Sequence, residues 1–547
     1  MTALDHTNAQ GTSVPGLLDR EHTVAKPGFN RWVVPPAALA IHLAIGMAYG
    51  LSVFWLPLNK AIGLTKPVVC ANLGFFDSLT TTTCDWPVSS LLLTFEIGIV
   101  FLGISAAMFG GWLERAGPRK AGVVAALCWG GGFFIGAYAI HIHQLWLLWL
   151  GLGVVGGFGL GLGYISPVST LIKWFPDRRG MATGMAIMGF GGGAMIGSPL
   201  ANLLINYFKT STGVGVWQTF VTLGAGYLVV MLIGAFGYRV PPDGWVPTGW
   251  TAKAHKSALV THGDVHLHDA HKSLAFWMIW AVLFLNVSAG IAVLSMASPM
   301  LQEIFAGKLI GMPDLTFGQL SADQLKAVAG IAAGFVGLLS LFNIGGRFFW
   351  ASLSDHFGRK LTYFTFFGLG ILLYSLAPYL AHTGQKALFV SAFCIILSMY
   401  GGGFATVPAY LADIFGTKFV GAIHGRLLTA WSAAGIVGSE VIGRVRDAQI
   451  AAGVPKAQVY DKTMYIVVSF LVVGFICNAL VRPVHAKWLI SHTDKPRDGE
   501  KPAVATGSFG IGKGSLSGVA LIPWFFIALP IVWGVYRTLI VAIDIFK

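Results

Sequence analysis

Arg347 stands in SLFNIGGRFFW, near the end of an apolar run from Ala327 to Leu353, with Asn343 four residues before it. A guanidinium in a hydrocarbon layer costs about 2.5–3.5 kcal/mol or more unless it finds a partner, water or an anion. Its planar fork of N–H donors matches a carboxylate, which makes Arg347 a candidate anion anchor. The plainer assignment is a snorkelling side chain, because Arg347 lies only a turn or two from the end of the run. Glu96, Glu440 and Arg444 are further charges within apolar runs. Glu440 and Arg444 are four apart, the spacing of a local pair on one helix face. The functional alternative joins Glu96 to Arg444 as an outer latch, or lets Glu96 carry a coupling proton.

These residues need elements to carry them. Of 547 residues, 55% are hydrophobic and 11% charged, with a mean hydropathy of +0.71. A soluble chain of this length cannot bury that much apolar surface, whereas a bilayer accepts it. A span takes roughly 20 apolar residues, and thirteen runs qualify. The expected class is an all-α polytopic membrane protein, multi-pass in the plasma (inner) membrane. Residues 1–33 are polar, lack the apolar core of a signal peptide, and are expected to form a cytoplasmic tail.

The net charge of +13 points to topology rather than to nucleic acid. Arg115, Arg119 and Lys120, then Lys173, Arg178 and Arg179, then Arg359 and Lys360 cluster in alternate loops, which marks those loops as cytoplasmic. GWLERAGPRK also resembles ASLSDHFGRK later in the same chain. Gly117 and Gly358, Pro167 and Pro408, Gly184 and Gly425, and Gly197 and Gly438 are all 241 positions apart. One offset across four helices predicts two six-helix halves, residues 34–238 and 274–481, joined by a cytoplasmic His-rich linker at 239–273. A second linker, 482–518, leads to an additional helix at 519–547. That helix has no place in the repeat and is expected to be peripheral and dispensable for turnover. Paired parallel halves suit alternating access around a site near the bilayer midplane.

No GxxxxGK[ST] phosphate loop and no HExxH is present, and no GxSxG stands at a strand-to-helix turn. Neither ATP-driven pumping, an enzyme activity nor a cofactor is therefore expected. His255, His262, His266, His268 and His271 lie in the central linker and are read as solvated rather than as a metal site. Cys70 and Cys84 fall in the long outward loop after the first span and are expected to form a disulfide there.

Four stretches carry a family resemblance. GGWLERAGPRK and SDHFGRK resemble the loops between helices 2 and 3, and 8 and 9, of the major facilitator superfamily. WFPDRRGMATGMA and YGLSVFWLPL are similar to the oxalate/formate antiporter family and its monocarboxylate-transporter relatives. The resemblance covers about Val34 to Val481. It implies the major facilitator fold, a substrate-binding arginine at Arg347 with Asn343, and a cavity lined by Tyr49, Tyr164, Tyr400 and Phe404. The family's oxalate transporter places a lysine on helix 11, but Trp431 stands there, opposite Phe190 in the repeat. A single central cation fits a monocarboxylate such as formate, pyruvate or lactate better than oxalate.

The expected function is secondary transport of small carboxylates, by proton symport or anion exchange, by a monomer in the lipid bilayer. Transport of another small solute or drug, with Arg347 structural, and a transporter-fold membrane sensor are the alternatives.

Overall fold

The computed structural model describes residues 16–64, 67–70, 74–247, 261, 263–490 and 518–542. Its long elements are all helices. In the first half α1 begins at Val34–Ile45 and continues through a 3-10 stretch, Gly46–Phe54, and the turn Trp55–Leu58. Then come α2 (Val88–Ala116), α3 (Pro118–His141), α4 (Leu145–Leu148, π-helical Trp149–Val155, then Gly156–Trp174), α5 (Arg179–Phe208) and α6 (Val216–Gly237). The second half holds α7 (Leu274–Phe305), α8 (Ala322–Phe357), α9 (Arg359–His382), α10 (Lys386–Phe415), α11 (Val420–Leu427 and Thr429–Ala451) and α12 (Asp461–Leu480). A further helix, α13, is Gly518–Ala542.

Among the described residues eleven helices are long and apolar enough to cross a membrane. The two predicted spans outside that set have local reasons. Helix α11 is broken at Leu428, and its outer piece carries Glu440, Arg444 and Arg446. In α13 the apolar stretch, Leu521–Tyr536, is shorter than in the others.

The repeat is visible in the backbone. Gly117 ends α2 at φ 87°, and Gly358 ends α8 at φ 88°. A side chain at either position would be strained there, so glycine recurs where each half makes the same turn. Pro167 in α4 and Pro408 in α10 likewise sit at matching places.

Between the halves, α2 packs on both pieces of α11, and α5 packs on α8 and α10. The end of this seam that carries the basic loops, expected from the sequence to be cytoplasmic, is closed. Asp355 on α8 accepts hydrogen bonds from the backbone N–H groups of Gly180 (2.8 Å) and Met181 (2.9 Å) at the start of α5. Arg359 holds Asp355 at 2.6 Å and Asp413 at 3.2 Å. Thr183 donates across the seam to the carbonyl of Ala405 at 2.6 Å.

Helix α13 packs on α8 of one half and on α5 and α1 of the other, and Trp524 donates to the carbonyl of Trp32 at 3.0 Å. It therefore lies across the seam rather than against one half.

In the loop between α1 and α2, Cys70 and Cys84 are joined by a disulfide. Asp85 beside it accepts from the N–H groups of Ile62, Gly63 and Val68, at 2.7, 3.0 and 2.8 Å. Of the linker histidines, His255 and His262 lie outside the described residues. Arg426 donates to His271 at 2.7 Å, and among the described residues no cluster is placed to hold a metal.

Candidate functional site

The site is built where α1, α4, α5, α8, α10 and α11 converge. Arg347 is fully buried on α8. Its Nε donates to the Asn343 side-chain oxygen at 2.9 Å, one turn earlier on the same helix. Its Nη1 donates to the carbonyl of Ile187 on α5, in the other half, at 3.3 Å. Its Nη2 is buried and has no partner. Among the described residues it pairs with no carboxylate. A snorkelling side chain would reach the interface; this one turns inward.

Two phenylalanines flank the guanidinium, with Phe190 of α5 at 5.8 Å and Phe404 of α10 at 5.4 Å from its carbon. The faces of aromatic rings attract cations, so one ring from each half holds the charge in place. Glycines bring the helices close enough for this. A methyl group at Gly401 would stand 2.6 Å from the Asn343 oxygen, and one at Gly191 would be 3.0 Å from Ile344.

The remaining walls are aromatic too. Trp431 on α11 lies 4.5 Å from Phe404, 5.3 Å from Phe190 and 5.3 Å from Tyr164 between ring centres. Tyr49 on α1 meets Phe190 edge-on at 4.9 Å. Its hydroxyl is 3.2 Å from that of Tyr400 on α10. Tyr400 packs on Phe404 at 5.3 Å. Arg347, Asn343, Tyr49, Tyr164, Phe190, Tyr400, Phe404 and Trp431, all named from the sequence, thus fall in one contiguous cluster.

Its polar inventory is unbalanced. The Arg347 Nη2, the Tyr164 hydroxyl and the Trp431 indole N–H are all buried without a partner. Each of these groups can donate a hydrogen bond. Buried donors ordinarily find acceptors, and here three of them, one charged, are left without one.

The other charged positions lie elsewhere. Arg444 pairs with Glu440 one turn away on an exposed face of α11. The structure closes that local pair and not a contact between Arg444 and Glu96. Spacing explains it, because residues four apart on a helix meet with no movement of the halves. Glu96 faces the like charge of Glu440.

Two features escaped the sequence reading. Glu303, at the end of α7, is bound by Arg446 at 2.6 Å and Tyr460 at 2.5 Å, tying α7, α11 and α12 together. His42 is buried under the site with both ring nitrogens against carbonyl oxygens. The available signal was a lone histidine in the apolar VPPAALAIHLAI.

Comparison with known proteins agrees with this architecture. Residues 38–439 match the family model described as Major Facilitator Superfamily. The oxalate:formate antiporter of Oxalobacter formigenes is 27% identical over 415 residues, covering 75% of this chain and 83% of its own. Human monocarboxylate transporter 11 is 32% identical over 177 residues, 32% of each chain. A solved fucose transporter of the superfamily, FucP, in the outward conformation, superposes with a TM-score of 0.53 at 15% identity, over 83% of this chain and all of its own. The chain belongs to the Major Facilitator Superfamily and is a multi-pass membrane transporter, not an enzyme.

Proposed function

We propose that the chain is a secondary transporter of small carboxylates, with monocarboxylates such as formate, pyruvate or lactate favoured over oxalate. The observation that carries this is the free Nη2 of Arg347, buried beside the unpartnered donors of Tyr164 and Trp431. A carboxylate accepts from both the guanidinium and a neighbouring donor, and charge-assisted bonds of this kind are the stronger ones. The aromatic walls accommodate a short apolar substituent. A dianion would leave one charge facing rings, since Trp431 stands where a second cation would help. The antiporter and monocarboxylate-transporter relatives support the same substrate class.

Direct binding tests it. Purified protein is titrated calorimetrically with formate, pyruvate, lactate and oxalate, and with pyruvamide as a neutral control. Affinity for at least one monocarboxylate, absent for the amide and absent in Arg347→Gln, is the expected pattern. Equal binding by wild type and Arg347→Gln would remove Arg347 as the anchor.

A further inference from the structure

His42 and His424 are buried titratable groups that the anion site leaves unused. His42, on α1, is fully enclosed: its Nδ1 lies against the carbonyl oxygen of Ala186, and its Nε2 is 3.2 Å from that of Tyr164. His424, in the first piece of α11, is equally enclosed, and neither of its ring nitrogens has a partner. The Tyr164 ring stands beside both, 5.2 Å from His42 and 5.8 Å from His424 between ring centres. Tyr164 is itself a wall of the anion site. The histidines, one from each half, therefore flank that wall.

A neutral imidazole donates at one nitrogen and accepts at the other. Around His42 both neighbours are acceptors, so only the doubly protonated ring donates to each. Around His424 nothing answers either nitrogen, and burying unpaired polar groups is unfavourable. The packing that encloses it belongs to the closed cytoplasmic seam. On the same helix Gly421 lies against Ser169 and Glu114, and Gly425 against the backbone of Ala106. Parting that seam admits water to His424, and a hydrated imidazole titrates near about pH 6.5.

The charged and titratable neighbours are few. Arg347 of α8 acts on His42, and His42 on His424. Tyr164 of α4 lies between the histidines, and Glu114 of α2, paired with Lys173, sits one turn further toward the cytoplasm. Arg426, on the same piece of α11, is turned away to the carbonyl of Leu267 in the linker.

We propose that His42 and His424 form a proton-binding site that makes carboxylate movement proton-coupled, an inference that rests on the carboxylate reading of Arg347. A protonated imidazole and the guanidinium are like charges and repel each other. A carboxylate bound at Arg347 cancels that repulsion, so anion and proton each favour the other's binding. The proton adds to an imidazole lone pair from water on one side and returns to water on the other, with no other bond changed. Ligands that favour each other and cross together make a symporter rather than an exchanger.

The test uses protein reconstituted in liposomes with a trapped pH dye and an imposed pyruvate, lactate or formate gradient. Wild type is expected to move protons with the carboxylate. Its apparent affinity should rise by up to about tenfold per pH unit as pH falls from about 8 to about 6. His424→Gln and His424→Asn are expected to flatten that profile and lose the proton flux; His42→Gln, whose amide still donates, is the second variant. A substrate-free arm labels Ser169→Cys on the cytoplasmic seam, in a background lacking Cys128, Cys394 and Cys477. Acid should increase labelling, and His424→Gln should abolish the increase. Unchanged proton flux and pH profile in both His424 variants overturns the proposal. If wild type takes up no carboxylate, the carboxylate reading fails and the labelling decides alone. Labelling that ignores pH, or whose pH dependence survives His424→Gln, then overturns the proton site.

Discussion

The hydroxyls of Tyr49 and Tyr400 meet 3.2 Å apart, one from each half of the transporter. Tyr49 is on α1 and Tyr400 on α10, and each packs on a phenylalanine that flanks Arg347. The bond thus spans the seam at the edge of the aromatic cluster around Arg347. A hydrogen bond of this kind contributes about 1 kcal/mol net. Tyr49→Phe or Tyr400→Phe should speed release of a bound carboxylate by roughly fivefold. The double variant should be little faster than either single one, because the bond is lost once. Dissociation rates by stopped flow would show this; additive effects would mean the hydroxyls act separately.

Arg347 discriminates charge from geometry. Lysine keeps the charge but not the fork, and bonds to charged groups contribute about 1.5–3 kcal/mol each. Arg347→Lys should therefore weaken carboxylate binding by roughly ten- to a hundredfold, with some transport retained. Arg347→Ala should abolish transport without loss of membrane insertion. Wild-type affinity in the lysine variant, read by calorimetry, would show that the fork is not used.

Asp355 tests the cytoplasmic closure. Its carboxylate caps the start of α5 through Gly180 and Met181 and also holds Arg359. Negative charge is favourable at a helix N-terminus. Asp355→Asn loses that charge and should cost the closed seam about 1–3 kcal/mol. Labelling of a cysteine placed on the cytoplasmic seam should rise accordingly. Unchanged labelling would show that the remaining seam contacts suffice.

The outer disulfide should matter locally. Cys70 and Cys84 are 14 positions apart, and closing a loop of that size contributes up to about 3 kcal/mol. Cys70→Ser with Cys84→Ser should make the loop more sensitive to protease while Asp85 still anchors its start. Transport should continue. A variant that inserts but cannot transport would tie the loop to turnover.

Helix α13 touches both halves, so it should bias the equilibrium between them. Truncation after Thr506 is expected to leave insertion intact and to change transport rate by roughly two- to thirtyfold, the range of about 0.5–2 kcal/mol. Uptake per inserted molecule measures this. An unchanged rate would restore a purely peripheral role.

Spans, repeat and the buried position of Arg347 were legible in the sequence because each depends on local properties. Apolar run length sets what a bilayer accepts. The turn glycines Gly117 and Gly358 recur because no other residue takes that φ without strain. Arg347 stood out because a lone cation in an apolar run demands a partner. The aromatic residues around it, by contrast, drew their assignment from family resemblance, since rings in a span usually face lipid or neighbouring helices.

Other relationships depended on how the halves meet. Nothing in SDHFGRK says that Asp355 reaches the N–H groups of Gly180 and Met181 in the other half. Nor does helical spacing place His42 and His424 on either side of Tyr164, or lay α13 over both halves. Glu440 was free to pair within its helix, and the fold kept that choice over a contact with Glu96. Pattern within one helix follows from its own residues and the bilayer. Contacts between helices depend on crossing angle, depth and rotation, which only the packing of the whole bundle decides.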